Sequence, residues 1–271
     1  MKSSKIVLIQ ERQFHNQWAE TIKLDELAIL EAFEGPVSPE YGFAIQALGH
    51  LSGRRILNPG CGAGEEAVYL AQKGAKVDAV DLSPGMIKVS RKLTQKYNLT
   101  KDITCTVSNV EELPFDSDSF DAVFGSSIIH HVNVEGCLKE FYRVLKPKGT
   151  AVFIEPLFYN PVINLYRKMA NIVRTPSEHP LKMTDIQLFH KYFNTVQHYE
   201  FHLFTLLIFV YFFLIEGVHP NKDRYWKKII RDAKKYARMF KILYNLDRIF
   251  LRAFPFIRRY CWVTVVVAKK R

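Results

Sequence analysis

The sequence predicts an α/β protein built on a mostly parallel sheet with helices on both faces. Three observations predict it. Between residues 54 and 155, short apolar runs alternate with segments of helical periodicity. The first run passes directly into a glycine-rich turn and then a helix, Ile56-Leu57-Asn58-Pro59-Gly60-Cys61-Gly62-Ala63-Gly64-Glu65. The second run ends on an acid, Asp81, 17 residues after Gly64.

Residues 11 to 50 read as helices, because Trp18, Ile22, Leu24, Leu27, Ile29, Leu30 and Phe33 recur at roughly helical spacing. Gly35-Pro36 and Ser38-Pro39 break that run, and a second helix is expected over about 41 to 51. The first strand is expected at 54 to 58, a helix at 65 to 73 and the second strand at 75 to 81. Ser83-Pro84 opens the next helix, with serine as N-cap and proline in the first turn. Strands follow at 103 to 108 and 120 to 125. A helix at 134 to 145 is stopped by Lys146-Pro147-Lys148-Gly149, and a fifth strand is expected at 150 to 155.

Beyond Pro156 the texture changes. Residues 160 to 195 read as helical and polar, and 193 to 202 as a sixth strand. Residues 201 to 215 are almost wholly large and apolar. Residues 222 to 254 predict an amphipathic helix or helix pair, with Trp226, Ile229, Ile230, Ala233, Ala237, Phe240 and Leu243 on one face. A β-branched run over 260 to 268 predicts the last strand.

With 48% hydrophobic residues, the 271-residue chain can bury one large core and an appended lobe. The net charge of +11 is unevenly placed: from Lys222 onward, 16 Lys and Arg face three acids. Such asymmetry points to an anionic membrane surface or nucleic acid, or simply to a solvated helix face. No RNA-binding module is recognisable, which disfavours nucleic acid. The four cysteines are scattered, form no CxxC pair and fit a reducing, cytoplasmic setting. The apolar run from Ile6 to Ile9 is too short for a signal-peptide core. No metal ligand is named.

The glycine turn carries the chemistry. Free N–H groups at the start of the following helix favour an anionic group. A dinucleotide site needs G-x-G-x-x-G, yet the third glycine position holds Glu65, next to Glu66. Two carboxylates there would repel a pyrophosphate. The G-x-G-x-G spacing suits S-adenosyl-L-methionine better, since that molecule carries a carboxylate, an ammonium and a sulfonium but no phosphate. Asp81, in register with this turn, can accept both ribose hydroxyls.

The run ILNPGCGAGEEAVYLAQKGAKVDAVDLSPGMI resembles the first two motifs of class I S-adenosylmethionine-dependent methyltransferases. NVEELPFDSDSFDAVFGSSIIHHV resembles the next two, and YRVLKPKGTAVFIEP the fifth strand with its preceding turn. The best match is the type 11 group, similar to ubiquinone and menaquinone biosynthesis methyltransferases. The resemblance covers about residues 50 to 156. It implies a Rossmann-like seven-stranded sheet with an antiparallel last strand. It also implies that Gly60, Cys61, Gly62 and Gly64 pass under the methionine part of the cofactor, with Asp81 on the ribose. Leu82 and Met86 would lie near the adenine, Asn109, Val110 and Glu111 at its edge, and Ser126 near the amino group. The group usually has an acid where Asn58 stands and often has one at Asn109. Asn58 keeps an acceptor but lacks the charge that would pair with the ammonium.

His130 and His131 follow the fourth strand, where an acceptor would approach. His131 is the favoured general base, and the plain alternative is that both shape the cofactor pocket. Glu178-His179-Pro180 lies on a loop beyond the fifth strand and reads first as a turn with a surface histidine. The apolar stretch from Phe201 to Ile215 reads as a buried helix, the wall of a lipophilic acceptor pocket, or a membrane-interface segment; it is too short to span a bilayer. The expected organisation is a helical cap (1–50), a Rossmann-like cofactor core (51–156), an acceptor-side cap (157–259) and the last core strand (260–271). The expected activity is methyl transfer to a small-molecule or lipid-like acceptor, in the cytoplasm and at a membrane periphery. A catalytically silent cofactor-binding membrane protein, a nucleotide-cofactor oxidoreductase and an RNA methyltransferase stay open as alternatives.

Overall fold

In the computed structural model, which describes residues 4–175 and 177–271, seven strands form one sheet in the order β3-β2-β1-β4-β5-β7-β6. Met1 to Ser3 and Pro176, which fall in the expected N-terminal and acceptor-side caps, lie outside the described residues. Three helices come first: α1 (Lys5–Thr21), α2 (Ile29–Glu34) and α3 (Pro39–Leu48). Then β1 (Arg55–Pro59), α4 (Glu65–Gln72), β2 (Lys76–Asp81), α5 (Pro84–Lys96), β3 (Ile103–Val107), β4 (Phe120–Ser126), α6 (Val134–Val144) and β5 (Leu145–Pro156) build the parallel part. The chain continues through α7 (Pro161–Met169), α8 (Met183–Phe189), β6 (Thr195–Phe201), α9 (Leu207–Leu214), α10 (Tyr225–Arg231), α11 (Ala233–Ala253) and β7 (Val263–Lys269).

The central strands are buried on both faces, so they read as unbroken apolar runs rather than alternating ones. Ala44, Val68, Leu70 and Leu93 of α3, α4 and α5 cover one face, and Leu138, Phe141, Ile186 and Phe189 of α6 and α8 cover the other. Caps act where the sequence places them. Ser83 Oγ accepts from Met86 N at 3.0 Å and starts α5, and Asn133 Oδ1 accepts from Gly136 N at 2.8 Å and starts α6.

β7 is antiparallel to both neighbours and slots between β5 and β6, pairing Thr150 with Lys269 on one side and Thr195 with Lys269 on the other. Residues 263–269 are therefore an interior strand of the sheet, paired on both sides. Fifth-strand pairing starts earlier than residue 150, because Leu145 already pairs with Phe120 ahead of an irregularity in the ladder.

The apolar stretch enters its helix at Leu207, not at Phe201. His202 turns the chain with a φ of 69°, and Asp247 of α11 accepts from Leu203 N (3.2 Å) and Thr205 Oγ1 (3.0 Å), fixing a corner ahead of α9. Helices α7, α9, α10 and α11 form their own core from Ile163, Tyr166, Phe209, Phe212, Tyr225, Tyr236 and Phe240. That core sits beside the carboxyl ends of β4 and β5 and closes one side of the cleft described next. All four cysteines are free and buried. No helix among the described residues is long and apolar enough to cross a membrane.

Candidate active site

The turn after β1 is shaped by glycines in the left-handed region. Gly62 has a φ of 52°, and a Cβ there would meet nothing within 4 Å, so its backbone borders open space. Gly64 has a φ of 93°, and a Cβ there would sit 2.4 Å from Ser90 Oγ, so the turn is pressed against α5. Asp81 fastens the turn: its Oδ2 accepts from Gly62 N at 2.9 Å and its Oδ1 from Ser83 N at 2.8 Å. Burial raises the Asp81 carboxyl, and these two amides oppose that rise.

Around the turn lies a cavity of about 550 Å³, within the roughly 300–1,000 Å³ usual for ligand sites. Gly60, Cys61, Gly62, Asp81, Leu82, Met86, Asn109, Val110, Ser126, His130 and His131 all line it. Gly64, Asn58 and Glu111 do not. Asn58 is fully buried beneath the turn, and Glu111 Oε1 accepts from Asn133 N at 3.0 Å, turned toward the start of α6. Asn109 Oδ1 is engaged by Glu111 N at 3.0 Å.

At the β1–β4 end, Asn58 is tied to an acid at the start of α4. Asn58 Nδ2 donates to Glu66 Oε2 at 2.7 Å and to Phe124 O at 2.9 Å. Asn58 Oδ1 is buried with no hydrogen-bond partner among the described residues. Burial pushes Glu66 up to about 8, with the Asn58 amide opposing and the Glu65 carboxylate adding. Tyr41 of α3 reaches across the cleft to Ser126, with 2.8 Å between their hydroxyls.

One face of α1 covers the opposite wall. Glu11, His15 and Trp18 line the cavity, and Asn16 Oδ1 accepts from Ser83 Oγ (2.6 Å) and Gly85 N (3.0 Å), docking α1 on the head of α5. His130 Nδ1 lies 2.8 Å from Glu155 Oε2, while Glu155 Oε1 accepts from Ile128 N and Ile129 N at 2.8 Å each. Burial pushes Glu155 up to about 7. Burial also drives the His130 imidazole well below its ordinary value, helped by the charges of Arg174 and Arg167. Burial and His130 hold His131 down at about 4, with Glu11 opposing at 3.1 Å. Both imidazoles are therefore neutral at pH 7.

Glu11, His15 and His131 offer ligand atoms within 4.8 Å of one another, as do His130, His131 and Glu178, so either group could hold a metal ion. The sequence reading missed Glu11, His15 and Glu66. The spacing of Glu11 and His15, one helical turn apart, was the available signal. Glu178 reaches the cavity wall, whereas His179 is exposed.

A parallel sheet with one reversed strand, a glycine turn after its first strand and an acid closing its second define a nucleoside-cofactor domain of the methyltransferase type. Residues 57–153 match the family model described as a methyltransferase domain, of the type 11 group. A demethylmenaquinone methyltransferase of Tropheryma whipplei is 34% identical over 113 residues, 41% of this chain and 46% of that protein. A ubiquinone biosynthesis O-methyltransferase of Methylocella silvestris is 38% identical over 100 residues, 36% of this chain and 38% of that protein. This chain thus spans less than half the length of these curated relatives. Among solved structures, geranyl diphosphate C-methyltransferase from Streptomyces coelicolor, bound to Mg2+, geranyl diphosphate and S-adenosyl-L-homocysteine, shares the fold. It has a TM-score of 0.59 and 15% identity, covering 86% of this chain and 79% of that one.

Proposed function

We propose that the protein transfers a methyl group from S-adenosylmethionine to a small or lipid-like acceptor. One observation carries the reading: a single cavity joins the Gly62 turn and Asp81 to His130, His131 and an apolar wall that includes Ile163, Tyr166 and Phe209. The residues fit the cofactor. Open space at Gly62 admits its backbone-hugging portion, Asp81 keeps acceptor capacity for a diol, and Glu66, which lines the cavity, suits an ammonium. When bound, the cofactor supplies a methyl group activated by a sulfonium leaving group.

The chain's own work is alignment and exclusion of water. Tyr41, Trp18 and the α1 face close over the cleft, and Leu206 and Phe209 at the head of α9 keep its inner end apolar. His131, neutral at pH 7, can accept the acceptor's proton, and the Glu11 carboxylate stabilises the imidazolium that results. His131→Ala is expected to cut turnover about tenfold or more while leaving S-adenosylhomocysteine affinity unchanged. Undiminished turnover removes the base assignment. The wider reading is tested by calorimetry with S-adenosylhomocysteine and with NAD. Binding of NAD in place of the thioether nucleoside points to an oxidoreductase.

The outer face of the cap supports peripheral attachment to an anionic membrane. Ile242, Leu246 and Ile249 form an exposed apolar stripe along α11, continued by Phe254 and Phe256, and Ile215 ends α9 with 70% of its surface exposed. Lys241, Arg248, Arg252, Arg258 and Arg259 flank the stripe. Truncation would remove β7 from between β5 and β6, so the test uses substitutions. The double variant Ile249→Glu, Phe256→Glu is expected to weaken co-sedimentation with phosphatidylserine vesicles by about tenfold or more. Equal sedimentation of variant and wild type, or none by either, overturns the attachment.

A further inference from the structure

On the cap side of the cleft, guanidinium groups gather from three segments. Arg167 of α7, Arg174 shortly after it and Arg224 at the start of α10 all line the cavity, with Lys227 one turn further on. Neutral partners hold most of them. Arg167 donates to Asn164 Oδ1 at 2.7 Å and to Leu157 O at 3.0 Å. Arg224 donates to Val173 O at 3.2 Å and stacks over the Trp18 ring at 3.7 Å. Lys227 rests 5.2 Å from the centres of both Trp18 and Trp226. Arg174 pairs with Glu178. Among the described residues, Arg167, Arg224 and Lys227 form no ion pair with a carboxylate.

This arrangement is costly as it stands. Burial, with Arg174 adding repulsion, pushes Arg167 down to about 9. Burial pushes Arg224 down to about 10, Tyr166 opposing and Arg174 adding. Cations withdrawn from water and crowded together are stabilised by an anion placed among them. Guanidinium forks suit the planar or tetrahedral oxygens of carboxylate and phosphate, because each can donate two parallel bonds. The cluster also shares the cleft wall with His130, and Arg167 and Arg174 are among the charges that bear on that imidazole. Tyr166 and Phe209, 5.2 Å apart between ring centres, continue the wall as an apolar surface.

We propose that the methyl acceptor is an anionic amphiphile whose carboxylate or phosphate group seats on Arg167, Arg174 and Arg224, with its apolar body along Tyr166 and Phe209. The proposal rests on the reading of this cleft as a methyltransferase site. The opposing account is that these arginines only staple the cap together.

The test compares octyl phosphate, octanoate and octanol by calorimetry on the full chain saturated with S-adenosylhomocysteine. The expected result is that at least one anion binds about tenfold or more tighter than octanol; whichever anion wins identifies the head group. Arg167→Met and Arg224→Met are each expected to lose about tenfold of that anion's affinity, with octanol and S-adenosylhomocysteine unaffected. Arg224→Lys keeps the charge and is expected to recover part of the loss. Octanol binding as tightly as both anions in the wild type overturns the proposal without any variant, as does full anion affinity in both Met variants. Failure of the wild type to bind S-adenosylhomocysteine strikes the methyltransferase reading instead, and the three-probe comparison repeated without the nucleoside then reads the anion site alone.

Discussion

Asp81→Asn is expected to weaken S-adenosylhomocysteine binding about a hundredfold, close to 3 kcal/mol, by turning charge-assisted bonds into neutral ones. The carboxylate does two jobs. Each oxygen already accepts one backbone N–H, from Gly62 and from Ser83, and the remaining lone pairs face the cavity that the ribose would enter. An asparagine has one oxygen, so its amide must face one of those N–H groups, donor against donor. That mismatch costs about 1–3 kcal/mol of order in the turn. The folded protein recovers part of it, because a buried and partly destabilised charge is gone. The melting temperature is therefore expected to move little while affinity drops, and adenosine alone is expected to lose affinity with the full ligand. Unchanged adenosine affinity in the Asn variant would mean that Asp81 only fastens the turn.

What the sequence made legible is what local physics decides. The buried parallel strands, the Gly60–Gly64 turn and the Ser83 cap are each written in a few consecutive residues, and the boundaries of β1 to β4 fell within one or two positions, whereas those of β5 and α9 did not. Both exceptions are tertiary. β5 begins early because Leu145 finds Phe120 on the adjacent strand, and α9 begins late because Asp247, more than forty positions away, holds the preceding corner. The site followed the same rule. Its β1–β2 wall could be read from spacing. Its lid could not, since Glu11 reaches Thr175 Oγ1 at 2.7 Å across 164 residues and no periodicity reports such a pair. The family pattern put Glu111 at the adenine edge, whereas its side chain bonds Asn133 N. Glu65 and Glu66 were read as repelling a pyrophosphate. That Glu66 folds back onto Asn58 depends on the first turn of α4 lying over the end of β1, which the sequence does not state.

The Glu66 arrangement makes a second large prediction, in the pH dependence of cofactor binding. Burial holds the Glu66 carboxyl up at about 8, so at pH 7 the empty site is mostly protonated. An ammonium prefers the ionised form, so binding must release a proton. The sign follows from that release: affinity falls as pH drops below 8 and climbs as pH rises toward it. Between pH 6 and 7.5 the dissociation constant for S-adenosylhomocysteine is expected to improve by up to about tenfold per unit, the limit for one proton. Glu155, at about 7, titrates in the same window, and Glu66→Gln separates the two. The Gln variant keeps an oxygen that can accept from Asn58 but has no proton to lose, so its affinity curve is expected to be flat and to lie near the low-pH limit of the wild type. A slope that survives in Glu66→Gln assigns the proton to Glu155, and a flat wild-type curve places the ammonium elsewhere in the cleft.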